Sequence, residues 1–253
     1  MKEWWRWLGR QGLVGGLILG LGLLGSGGAA LAGSGQLQFY ANGEELITEG
    51  FLAPKLSKDG WQLTFSHAYV TLAEITAYQT SPPYDAQAGG DISATRQVAL
   101  AGPLTVDLAA GSPEEPPVPV GEAVAAPAGH YNAISWRMPV AATGPAAGYS
   151  LLLIGRAEKE GRQGDFRLGS REELRYQCGE FVGDERKGFV VAGGRADLEM
   201  TFHFDHIFGR ADKDAADPMN LEALGFAPFA AGGAHDLSLR GVHLGHAGEG
   251  HCR

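Results

Sequence analysis

From Gln36 onward, apolar and polar residues alternate in short runs that are broken by Gly, Pro, Asn and Asp. Successive side chains on a strand point to opposite faces, so such alternation predicts half-buried strands. Leu37 and Phe39 mark the first, closed by the Asn42-Gly43 turn. Asp59-Gly60 leads into Trp61–Phe65 and then His67–Leu72, where Ala68, Val70 and Leu72 share one face and His67, Tyr69 and Thr71 the other; Ile75 and Tyr78 extend it. Residues 80–92 and 109–119 carry the prolines and glycines of loops. Between them, Arg96–Leu108 returns to strand. Asn132, Ile134, Trp136 and Met138 alternate after the turn at Pro127-Ala128-Gly129. Ser150–Ile154 is a continuous apolar strand, followed by a charged hairpin loop at 158–165 and a return through Phe166 and Leu168. Arg175–Cys178, Gly188–Ala192 and Glu199–Phe204 complete the series. A helical signal arises only late, over Met219–Leu224, with Asp217 as N-cap and Pro218 at the first helical position.

Many short strands at regular spacing predict an all-β fold, an antiparallel β-sandwich. The boundaries expected are a leader over 1–32, the sandwich over 33–210, and a His-rich, Gly-rich C-terminal extension over 211–253 that packs on it. The leader follows from Lys2, Arg6 and Arg10, an apolar core over 12–31, and the small residues of Ala30-Leu31-Ala32. That pattern predicts export to the periplasm or beyond, with cleavage after Ala32; the alternative is an uncleaved anchor, since the core approaches spanning length. Cleavage leaves 221 of the 253 residues, with no further membrane span expected. Residues 1–32 hold three basic groups and one acid (Glu3), so their loss moves the net charge from −9 to −11. A surface this acidic argues against nucleic acid and anionic lipid as partners and is compatible with cations.

Two cysteines in an exported chain predict a disulfide, Cys178 to Cys252, which would tie the C-terminal tail to the body. The other reading keeps both as thiolate ligands. HAYVTLAEITAY (67–78) followed by PAGHYNAISW (127–136) resembles a family of uncharacterised exported bacterial β-sandwich proteins, in which a VYVTI-type strand precedes an aG-x-Y turn and strand. The resemblance covers about residues 37–155. FHFDHIFG (202–209) and GHAGEGHC (245–252) resemble the endings of uncharacterised exported bacterial proteins. The resemblance implies a sandwich fold and export, and no assigned activity.

Six of the eight histidines fall after Thr201. Imidazole is the commonest metal ligand at neutral pH. The candidate ligands are His203, Asp205, His206, His243, His246 and His251. Asp205 serves as co-ligand or orients a ring through its second nitrogen. Gly245, Gly248 and Gly250 let a tail fold tightly enough to bring its rings together. The spacing matches no closed zinc signature. Mixed imidazole and carboxylate donors suit a Zn or Cu ion better than Ca²⁺. The bland reading has Asp205 capping a turn and the tail solvated. Asp212, Asp214 and Asp217 lack the EF-hand spacing and read as a solvated acidic loop; His67 and His130 read as isolated polar residues.

No G-x-S-x-G, Walker A or HExxH is present, and no Rossmann glycine motif follows a strand. The expectation is an exported transition-metal-binding protein, a carrier, sensor or accessory of metal uptake, that is not an enzyme and has an envelope transport or sensor protein as a partner. A cell-envelope interaction or carbohydrate-binding module is the alternative, and a metal-dependent hydrolase ranks third.

Overall fold

The computed structural model describes residues 33–179, 187–247 and 251–253, and of His251 the backbone alone. The leader expected over 1–32 lies outside the described residues. In chain order the strands are β1 (Ser34–Asn42), β2 (Gln62–Thr80), β3 (Ala94–Ala99), β4 (Leu104–Asp107), β5 (Val118–Pro127), β6 (Gly129–His130), β7 (Ala133–Met138) and β8 (Leu151–Lys159). There follow β9 (Arg162–Ser170), β10 (Leu174–Gly179), β11 (Phe189–Val190), β12 (Arg195–Phe202), β13 (Gly233–Asp236), β14 (Gly245–His246) and β15 (His251–Cys252). The helices are single turns: α1 (Glu44–Thr48), α2 (Asp205–Phe208) and α3 (Pro218–Glu222). No helix among the described residues is long and apolar enough to cross a membrane.

The fold is all-β. A smaller sheet runs β14-β12-β1-β5, and a larger one runs β13-β9-β8-β2-β7-β10-β15, with β3 and β4 also on β2. β2 organises the larger sheet because it is long enough to serve both halves. It pairs with β8 and β4 through its first part and with β7 and β3 through its second. Register shifts at Phe65/His67 and Ala73/Thr76 bend it between these tasks, as bulges do. The hairpin from β8 to β9 turns on Glu160-Gly161, both at positive φ, which matches a tight two-residue turn.

One core lies between the sheets. β1 and β12 give it Leu37, Phe39, Leu198, Met200 and Phe202; the larger sheet gives Val70, Leu72, Ile134, Trp136 and Leu153. Trp136 of β7 meets Phe202 of β12 edge-on at 6.3 Å between ring centres, so the two sheets touch through aromatic rings. Burial of each large side chain stabilises by about 1.5–3 kcal/mol.

Three features depart from the pattern read along the chain. The pairing is antiparallel except for β1 with β12 and β9 with β13, which run parallel. Both join strands distant in sequence, where no hairpin dictates direction. The strand expected to run to Phe204 ends at Phe202, because α2 begins at Asp205. The described residues after 210 are woven into the sandwich, with β13 and β15 in the larger sheet and β14 in the smaller. Pairings of two residues carry no alternation to read. Cys178 and Cys252 form the expected disulfide across β10 and β15, with Cα atoms 4.1 Å apart.

Candidate metal centre

Four histidines meet where β12 gives way to α2. β12 carries the core residues Met200 and Phe202, and the chain leaves the sheet at His203. The next residues fold into a helical turn because Ile207 and Phe208 must also reach the core, and both are fully buried. This turn brings His206 alongside His203; an extended strand would send them to opposite faces. Their ring centres lie 5.4 Å apart.

The other two rings come from the segment before and within β14. His203 N–H donates to Leu244 C=O at 2.9 Å, and β14 pairs with β12 through Thr201 and His246. Gly245 lets this strand dock. A Cβ there would lie 2.9 Å from the rings of Trp136 and Tyr176. The ring centre of His246 is 5.3 Å from that of His203 and 6.4 Å from that of His243. His243 in turn meets Tyr176 edge-on at 5.7 Å.

Two hydrogen bonds set the tautomers. His203 Nδ1 lies 3.1 Å from Glu44 Oε2, and His206 Nδ1 lies 2.6 Å from the carbonyl of His243. Both partners only accept, so each Nδ1 donates and the lone pair of each neutral ring sits on Nε2. Glu44 is itself held in the left-handed region at φ 56°, and its N–H donates to Asn42 Oδ1 at 2.7 Å. A non-glycine residue in that region is uncommon and clusters at functional sites.

The electrostatics couple the four rings. Burial disfavours the charged form of His203, but the hydrogen bond and charge of Glu44, with the charge of Asp205, outweigh it and raise its pKa. His243 is lowered, first by burial and then by the positive charge available on His246, His206 and His203. Asp205 Oδ1 is buried with no hydrogen-bond partner in the structure. A buried carboxylate oxygen without a hydrogen bond is costly, and here the charges of Arg210 and His203 offset part of that cost.

Beside the rings a cleft of about 160 Å³ is lined by His206, His243, Gly241, Val242, Met219 and Glu222. Its far wall is α3, which begins as the chain pattern predicts: Asp217 Oδ1 accepts from Met219 N–H at 3.0 Å. Asn220 fixes this helix. It is buried, accepts from Arg210 N–H at 2.8 Å, and donates to the carbonyls of Arg210 and Asp214 at 2.9 and 3.0 Å.

Of the predicted ligands, the structure therefore gathers His203, His206, His243 and His246, with Asp205 at the head of α2. His251 is placed by backbone alone, opposite Gly179 and in the other sheet. Among the described residues, no three His, Cys, Asp or Glu side chains are already arranged to hold an ion. The remaining histidines are engaged elsewhere: His67 with Asp107 at 2.7 Å, His130 stacked on Phe189 at 3.8 Å, and His235 with the Gly232 carbonyl at 2.9 Å. The acidic loop is used for turns, with Asp214 accepting from Ala216 N–H and Asp212 paired to Arg210. Glu44, Met219 and Glu222 were not legible as site residues. No family model, curated protein or solved structure matches the chain.

Proposed function

We propose that this chain binds a transition-metal ion, Zn or Cu, through the four-histidine cluster, and acts outside the cytoplasm as a carrier, sensor or accessory of metal uptake. The observation that carries the reading is the convergence of His203, His206, His243 and His246 from two separate segments, with the Asp205 carboxylate, one oxygen of which has no hydrogen bond, at the head of the same turn. Two imidazoles on one tetrahedral ion, with bonds of about 2.1 Å, have ring centres about 5 Å apart. The separations of 5.4 and 5.3 Å from His203 fit that distance, whereas 6.4 Å between His243 and His246 requires the rings to close in. Ring rotation about χ1 and χ2 is also needed to aim the nitrogens at one point. The Nδ1 hydrogen bonds of His203 and His206 suit this role, because they leave Nε2 to coordinate. Asp205 supplies charge compensation. The basic, apolar, small-residue order of residues 1–32 supports export, and the disulfide suits an oxidising compartment. A carrier or uptake accessory has an envelope transport or sensor protein as its natural partner.

The test is calorimetric titration of Zn²⁺ and Cu²⁺ into untagged protein and into His203→Ala, His246→Ala and, as a control, His235→Ala. Loss of about tenfold or more in affinity for the two cluster variants, with the control unchanged, is the expected result. Absence of binding by the wild type, or equal affinity in all variants, would instead leave the envelope-interaction module.

A further inference from the structure

Four methionines occur in the chain, and three fall among the described residues. Met138 and Met200 are fully buried in the core. Met219 is partly exposed, and it lines the same cleft as His206 and His243. Both cysteine sulfurs are consumed by the disulfide. Met219 is therefore the one sulfur among the described residues that is neither buried in the core nor bonded. Its placement is deliberate in structural terms. α3 is a single turn, too short to hold itself, yet it is fixed at both ends. Asp217 caps its start; Asn220 ties it to the loop over 210–214; Lys58 Nζ donates to the carbonyls of Asn220, at 2.7 Å, and Ala223 at its end. A flexible thioether thus sits on a rigid mount in the cleft that His206 and His243 also line.

Softness decides what such a mixed set prefers. Thioether sulfur is a soft donor that favours Cu(I), while imidazole alone serves zinc and copper alike. We propose that the cleft of His206, His243, Met219 and Glu222 makes cuprous copper the ion this site selects, with the Met219 sulfur as the discriminating ligand and the Glu222 carboxylate at the mouth drawing the cation in. The inference rests on the metal-binding reading and adds the identity of the ion.

The experiment separates the two. Cu(I), kept reduced anaerobically with ascorbate, is titrated against a chromophoric chelator into wild type, Met219→Leu and Met219→Ala; Zn²⁺ is titrated into the same proteins. X-ray absorption at the copper edge reports whether sulfur is bound. The expected result is that Met219→Leu weakens Cu(I) binding by about tenfold or more, leaves Zn²⁺ affinity within about twofold, and removes a sulfur scatterer seen in the wild type. Leucine keeps the volume and apolar contacts of methionine, so the fold is retained. Wild-type binding of both ions with Cu(I) affinity and the absorption spectrum unchanged in Met219→Leu overturns the copper assignment and leaves the histidine site standing. Failure of the wild type to bind either ion overturns the metal reading itself.

Discussion

At the scale of single residues, Glu44 and His203 show how the site is tuned. The pair is half-buried and 3.1 Å apart, and the net effect on His203 is a raised pKa. A raised imidazole pKa contributes stability that is fully present below the ordinary value near 6.5 and is lost as pH rises through the higher folded value. His243, lowered by burial and its neighbours, acts in the opposite sense. It contributes above the ordinary value, and that contribution falls away as the pH drops toward its folded value. Glu44→Gln is expected to cost roughly 0.5–1 kcal/mol at about pH 5.5 and little at about pH 8.5, after allowance for solvent screening. Urea denaturation at the two pH values measures this, and equal losses at both would remove the ion-pair account. In the metal-binding reading, protons compete with the ion for all four rings, so affinity falls through the same range, and Glu44→Gln moves that fall to lower pH. The histidines were legible from composition. Glu44 was not, because it is 159 residues from His203 and only the parallel pairing of β1 with β12 brings them together.

At the scale of elements, the docking of β14 is the critical step. Gly245 places backbone directly against the stacked rings of Trp136 and Tyr176, whose centres are 5.1 Å apart. Gly245→Ala forces a methyl group into rigid aromatic rings on the floor of the core. It is expected to destabilise by roughly 1–3 kcal/mol and to shift His246 away from His203. Thermal unfolding gives the first, and the imidazole resonances of His203 and His246 give the second; an unperturbed spectrum would show that β14 is not seated there. Alternation along the chain located most of the long strands, since one face of each is buried. It missed most of β5, hidden behind the Pro-rich stretch, and α1, whose single turn after Asn42-Gly43 has no period to detect. It found α3 from its cap and proline but could not say which side of that turn faces the histidines.

At the scale of the whole molecule, the disulfide and the histidine cluster prove to be separable. The disulfide ties the tail to the body through β15. The structure holds His246 by pairing with Thr201 in the smaller sheet, while the disulfide joins β10 and β15 in the larger. Replacing both cysteines by serine is expected to lower stability by roughly 2–4 kcal/mol, read from the denaturation midpoint. In the metal-binding reading, affinity for the ion should change by less than about threefold, far below the loss expected from removing a ligand; a larger drop would show that the cross-link does position the rings. The parallel pairing of β1 with β12 has a further consequence, in time rather than in space. Gln36 must find Arg195, and Ala41 must find Met200, before Glu44 can face His203. Contacts this distant in sequence form slowly, because the entropy of closing the loop precedes any reward. A chain still collapsing presents scattered imidazoles with no common centre, so metal present at that stage has nothing to choose between. In the metal-binding reading, selectivity is acquired at the end of folding, and recovery of the ion preference after dilution from denaturant should trail the recovery of strand content.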